Sequence, residues 1–262
     1  MSAIILDGSM VHYEALGRGR PIIFLHGWVG SWRYWINAMQ AASTSFRAYA
    51  IDLFGFGDTM RSPDNYTIAK QALLLERFLN EMGIGKVALV GHDLGALVAF
   101  EYLKKHYESV DRMMVIGAPL QYELIAPRMR TAPVTELAEW LTGKQPEAMT
   151  ALSDASKVDP AAISASMSSL QTESIFPHVR NFGVPCLFVY GANDLAFTTV
   201  PTQEINNLPI HMHQINLEGS GHFPMLDNVP QFNRLLVDFL ALDSGVSPSE
   251  LQMKEEWKRR VR

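Results

Sequence analysis

The most constraining stretch runs from Lys86 to Phe100 and reads KVALVGHDLGALVAF. Val87-Ala88-Leu89-Val90 is a short apolar run with the length of a buried strand, and Leu94–Tyr107 has a helix-like pattern. Between them stands Gly91-His92-Asp93-Leu94-Gly95, so the strand must turn sharply into the helix. Such a turn needs glycine where backbones pass close together, and glycines stand two residues before and two after Asp93. The pattern lifts the central side chain, Asp93, clear of the sheet edge. It commits the chain to a sheet with helices packed on it.

The rest of the sequence keeps that rhythm. Ala3–Leu6 and Met10–Ala15 form a hairpin pattern around Asp7-Gly8-Ser9. Further strands are predicted at Pro21–Leu25, Ala48–Asp52, Met113–Ile116, Cys186–Tyr190 and Met212–Leu217. Helices are predicted from Ser31 to about Ala42, Thr67 to Met82, Thr199 to Asn207 and Pro230 to Leu240. Ser31 and Thr67 are the expected N-caps, and Leu74, Leu75, Phe78, Leu79 and Met82 share one helix face. Strands alternating with helices at this interval imply right-handed crossovers, a mostly parallel sheet and an α/β fold.

At 262 residues the chain fits one α/β domain with an insertion. Its formal charge of -5 gives no reason to expect nucleic acid or an anionic membrane as partner. No apolar run approaches the roughly 18 residues of a membrane span. Met1–Asp7 lacks a basic region and a long apolar segment, so no signal peptide is expected, and the protein is expected to be cytoplasmic. Cys186 is the only cysteine; set in an apolar run, it reads as a buried, inert thiol.

The alternation stops between Pro119 and Gly183. Helix-like pieces at Thr135–Leu141, Pro146–Leu152 and Pro160–Leu170 suggest a helical cap over 119–182, with Asp159 capping the last piece. The core is then 1–118 with 183–242, followed by a basic C-terminal tail at 243–262 in which Ser247-Pro248-Ser249-Glu250 could open a short helix.

Three loops at carboxyl ends of strands supply Asp93, Asp194 and His222, and open parallel sheets place their sites on that edge. Together with His26-Gly27 after the third strand and Asp52-Leu-x-Gly-x-Gly after the fourth, the turn at Asp93 resembles the nucleophile elbow of the α/β-hydrolase superfamily. Aspartate at its crest is the version seen in epoxide hydrolases and haloalkane dehalogenases. The resemblance covers nearly the whole chain. It implies an eight-stranded, mostly parallel sheet and a hydrolase that needs no cofactor or metal. Asp93 would be the nucleophile, His222 the base that activates water, and Asp194 the acid that orients it. The amides of Trp28 and Leu94 would form the oxyanion hole. The helix after Asp93 is expected to hold its carboxylate ionised.

Aspartate also restricts the reaction. Attack on a carboxylic ester would form an anhydride, uphill from its substrate, whereas attack on a saturated carbon forms an ordinary alkyl ester that activated water can hydrolyse. Epoxide opening or carbon–halogen cleavage of a small, mostly apolar molecule follows. The substrate is expected between the sheet edge and 119–182, near His26, Tyr122, Trp140 and His178. The protein is expected to be a monomer or homodimer.

The sequence departs from both families at the leaving group. Dehalogenases commonly place tryptophan after the nucleophile and often asparagine after His-Gly; here these are Leu94 and Trp28. Epoxide hydrolases usually carry two cap tyrosines, and this segment has only Tyr122, with Trp140 and His178 as substitute donors. Meanwhile His-Gly-Trp-x-Gly-Ser and Glu-Gly-Ser-Gly-His-Phe-Pro resemble ester and carbon–carbon bond hydrolases, which carry serine at the elbow. The alternative is therefore a serine-type scaffold with Asp93 in its place, either inactive or ligand-binding. His211-Met-His213 lacks a third ligand for zinc, and Asp52 is expected to cap backbone amides in its loop.

Overall fold

Strand β5 (Val87–His92) is buried along its whole length and lies inside an eight-stranded sheet. The computed structural model describes residues 2–142, 149–172, 180–197 and 208–251. The other strands are β1 (Ser2–Leu6), β2 (Ser9–Gly17), β3 (Arg20–Leu25), β4 (Phe46–Ile51), β6 (Val110–Ile116), β7 (Cys186–Gly191) and β8 (Met212–Leu217). Their spatial order is β1-β2-β4-β3-β5-β6-β7-β8. Only the β1–β2 and β2–β4 pairs are antiparallel. The α/β-hydrolase fold expected from the sequence is thus present. The apolar strands follow from two-sided burial, since a parallel sheet covered by helices leaves no face for polar residues.

Helix α1 (Ile36–Ala42) is preceded by a 3-10 turn, Trp32–Trp35, where the sequence suggests one continuous helix; Ser31 caps that turn through the amide of Arg33. Helix α2 (Ile68–Glu81) is capped by Thr67 and buries Leu74, Leu75, Phe78 and Leu79 as its spacing predicts. Helix α3 (Leu94–His106) is apolar almost all round, because it lies against β3, β5, β6 and α2.

Between β6 and β7 the chain leaves the sheet for α4 (Pro127–Thr131), α5 (Val134–Thr142), α6 (Met149–Asp154) and α7 (Pro160–Thr172). Helix α4 carries no periodic signal, being a single short turn started by a proline. The second half of this segment is fastened to loops at the carboxyl edge of the sheet. Ser31 and Arg33 bond Asp154, and Lys157 reaches Asp58 at 2.7 Å. The Asp159 amide donates to the Gly55 carbonyl at 2.8 Å, and Tyr66 Oη donates to Asp159 at 2.8 Å. Trp28 Nε1 donates to Ser166 Oγ on α7 at 2.8 Å.

The chain closes with α8 (Pro224–Asp227) and α9 (Val229–Ala241), the latter packed on α1. A short 3-10 turn, Pro248–Glu250, follows at the site where Ser247 caps. The predicted helix over 199–207, the start of the piece at 146–152, His178 and the basic part of the tail lie outside the described residues. Among the described residues, no helix is long and apolar enough to cross a membrane.

Candidate active site

Asp93 stands between β5 and α3 with φ 54° and ψ −113°, a conformation L-residues rarely adopt. Its own backbone holds it there. The Asp93 amide donates to the Ile116 carbonyl at 2.9 Å, and its carbonyl accepts from Ala96 at 3.1 Å. The flanking glycines are steric necessities. A Cβ on Gly91 would lie 2.5 Å from the Gly95 oxygen, and one on Gly95 would lie 2.2 Å from the Leu25 oxygen.

The elbow brings the predicted residues together. Trp28 N–H donates to Asp93 Oδ2 at 3.2 Å, and His222 Nε2 stands 3.6 Å from the same oxygen. On the far side of the ring, His222 Nδ1 faces both Asp194 oxygens at 3.1 and 3.2 Å. Asp194 is steadied in turn by the Ala196 amide at 2.8 Å. Leu94 opens α3, where first-turn amides have no partner inside the helix. Asp93 Oδ1 and His222 Nε2 are buried without a hydrogen-bond partner among the described residues.

The electrostatics follow from this geometry. Burial alone lowers the pKa of His222, but the charge and hydrogen bonds of Asp194, joined by Asp93, outweigh it and raise it to about 10. Burial raises the pKa of Asp93, opposed by His222 and the Trp28 amide. The donor that reaches this carboxylate is the Trp28 amide, on one oxygen, and among the described residues the other oxygen has none. The raised His222 pKa favours the folded state fully below the unfolded value of 6.5, and that contribution is lost as pH rises through about 10. The thermal midpoint should therefore fall from neutrality to beyond that pH more steeply than in a His222→Gln variant. Parallel slopes would contradict the assigned charge on the ring.

A second set of contacts went unmarked in the sequence. The Gly27 amide donates to Tyr34 Oη at 2.5 Å, Tyr34 Oη lies 3.0 Å from His92 Nδ1, and His92 Nε2 lies 2.9 Å from the His222 carbonyl. A carbonyl only accepts, so His92 carries its proton on Nε2 and Nδ1 accepts from the tyrosine. Burial keeps this ring neutral, its pKa well below the usual value. The chain ties the His-Gly loop, the elbow and the loop of His222 together. No periodicity reveals it, though a histidine beside the elbow's central residue was visible.

The remaining candidates are placed differently. His26 donates from Nδ1 to the Gly27 carbonyl at 2.8 Å and accepts the Leu53 amide on Nε2 at 3.0 Å. Both nitrogens are occupied by backbone groups, so neither is left to bond a substrate. Tyr122 packs under Arg130 and Trp140 under Arg128, within the inserted segment. Asp52 accepts the Trp32 and Asp58 amides at 2.8 and 2.9 Å, as its loop predicts. Among the described residues, His12, Asp52 and Asp58 lie close enough for a metal. Their ligand atoms are already engaged, with Asp58 bound to Arg33 and Lys157. No such group includes His211 or His213.

A sheet in this order, with an acidic elbow and a late histidine on one edge, defines a hydrolase scaffold. The family of the alpha/beta hydrolase fold matches residues 20–157, and the chain belongs to it. A soluble epoxide hydrolase of Corynebacterium sp. is 31% identical over 112 residues, which are 43% of this chain and 39% of that protein. The putative carbamate hydrolase RutD of Yersinia enterocolitica is 23% identical over 94% of this chain and 97% of its own. Among solved structures, an esterase from Exiguobacterium antarcticum superposes with a TM-score of 0.80 at 19% identity, covering 92% of this chain and 99% of that one. The match to the epoxide hydrolase spans about two fifths of that protein's length.

Proposed function

We propose that the protein hydrolyses a small, mostly apolar epoxide through a covalent ester on Asp93. The supporting observation is the asymmetry of that carboxylate: Oδ2 is held by the Trp28 amide, while Oδ1 is buried without a partner. Oδ1 attacks a ring carbon, the carbon–oxygen bond of the epoxide breaks, and an alkyl ester forms with Oδ2 as its carbonyl oxygen. Water that gives a proton to His222 Nε2 then adds to Cγ. The Trp28 and Leu94 amides stabilise the resulting oxyanion. Collapse releases a diol that carries Oδ1, and the water oxygen stays in Asp93. Asp194 orients the imidazole and balances its charge.

In this proposal residues 1–118 with 183–242 form the core, and 119–182 is a cap that roofs the elbow, latched by Asp154, Lys157, Asp159 and Ser166. An epoxide is favoured over a haloalkane because a departing halide needs N–H donors. Position 94 is leucine, and the indole N–H of Trp28 is spent on Ser166. The local likeness to an epoxide hydrolase supports the same choice.

A single turnover in ¹⁸O-water tests the covalent step. The expected result is label in the peptide containing Asp93 and an unlabelled oxygen delivered to the diol. Label appearing first in the product would mean direct attack by water and would remove the ester from the mechanism.

A further inference from the structure

Opening an epoxide leaves an alkoxide that must be protonated, and the mechanism above does not name the acid. We infer that His222 donates that proton from Nε2 before it acts as base, so that one imidazole serves both half-reactions. The inference rests on the proposed nucleophilic role of Asp93.

Among the described residues, the other aromatic donors near the site or offered by the sequence are engaged or elsewhere. Trp28 Nε1 donates to Ser166, Tyr34 Oη is enclosed between Gly27 and His92, and Tyr122 and Trp140 pack against arginines of the inserted segment. His222 Nε2 is buried, has no hydrogen-bond partner among the described residues, and stands 3.6 Å from Asp93 Oδ2. A proton donor there lies beside the attacking carboxylate.

The groups facing the ring favour its charged form. Asp93 and Asp194 stand at its two nitrogens, and Asp227, which accepts the Gly221 amide at 2.7 Å, adds a third carboxylate nearby. His92, with its ring centroid 4.6 Å away, opposes them only when protonated, and burial keeps it neutral. The resting pKa of about 10 agrees with a charged ring at neutral pH.

The protons balance over the cycle. Asp93 Oδ1 attacks, the ring oxygen takes the proton from His222, and a neutral imidazole remains beside a neutral ester. Losing the charge of Asp93 removes one of the two carboxylates that held the proton, so alkylation itself turns the ring into a base. It takes a proton from water as hydroxide adds to Cγ and returns it to the departing diol oxygen. The carboxylic acid left at Asp93 then passes its proton to His222, which restores the ion pair.

A leaving group that needs no proton separates the two roles. His222→Gln, shown to be folded by its circular dichroism, would be incubated with a small terminal epoxide and, separately, with a primary alkyl bromide of similar size. Intact-protein mass spectrometry follows the Asp93 ester. For want of halide donors the bromide adduct should form slowly, but at a similar rate in parent and variant, whereas the epoxide adduct should form at least about 100-fold more slowly in the variant than in the first turnover of the parent protein; a bromide reaction slowed as much as the epoxide reaction would overturn the inference. An epoxide adduct formed at the parent's rate would show that another group is the acid and would overturn the inference. Failure of the epoxide to alkylate the parent protein would instead sink the nucleophilic role of Asp93, and this inference with it. In the parent protein, first-turnover alkylation by the epoxide should fall about tenfold per pH unit above the His222 pKa, while alkylation by the bromide does not; superimposable profiles would also overturn it.

Discussion

Asp93→Ala is expected to lower kcat/KM for an epoxide by at least about 10⁴-fold, the scale on which covalent nucleophiles contribute. Stability should move the other way. Burial raises the pKa of Asp93, so folding opposes its ionised form at neutral pH. A raised carboxyl pKa stabilises the folded state below its unfolded value and loses that contribution as pH rises through the folded value. Removing the carboxyl also relieves an oxygen with no partner, although it takes one counter-charge from His222. The thermal midpoint at pH 7 should therefore be unchanged or higher. Steady-state kinetics and a melting curve on the same preparation check both halves. Retained turnover would remove Asp93 from the chemistry. Asp93→Ser, assayed on short aryl esters, adds a contrast: esterase activity gained by the variant, with no epoxide or haloalkane turned over by the parent, would favour a silenced serine-type scaffold.

Gly95→Ala should be the most damaging single methyl addition near the elbow. The new Cβ would meet the Leu25 oxygen at 2.2 Å and its carbonyl carbon at 2.5 Å, and these are backbone atoms of the adjacent strand that cannot rotate away. Overpacking against fixed backbone costs about 3 kcal/mol, a large share of the roughly 5–15 kcal/mol by which domains are stable. Gly85→Ala is the control, because nothing lies within 4 Å of its added carbon and its backbone is not left-handed. Denaturant melts of the two variants should differ by at least about 3 kcal/mol. Similar midpoints would mean that α3 is free to move off β3.

The sheet could be read from the sequence because two-sided burial writes itself as short, wholly apolar runs, as at Val87–Val90 and Ile22–Leu25. The placement of Asp93, Asp194 and His222 was legible for a related reason: each stands in the loop after a strand, and strand ends of a parallel sheet converge on one edge. Asp52 was legible through its glycine-broken loop. What stayed hidden depends on contacts between distant residues. Nothing near His26 announces that its ring is clamped between Gly27 and Leu53, and nothing near Tyr34 announces His92, which lies 58 positions away. The upward shift of the Asp93 pKa stayed hidden because sequence shows a helix start and not the number of donors that reach the carboxylate. Helix α4 escaped because one turn is too short to show a period.

The bonds through Tyr34 and His92 bear on how this scaffold can be recombined with relatives. They span residues 27, 34, 92 and 222, so a crossover that takes the elbow from one parent and residues 27 to 34 from another separates a tyrosine from the imidazole it was matched to. Exchanging 119–182 cuts none of those bonds, although it does cut those of Asp154, Lys157, Asp159 and Ser166 to Ser31, Arg33, Asp58, Tyr66 and Trp28. Chimeras that swap this segment therefore have several side-chain matches to keep with loops at the sheet edge, while chimeras joined between those loops must inherit three of them as a block.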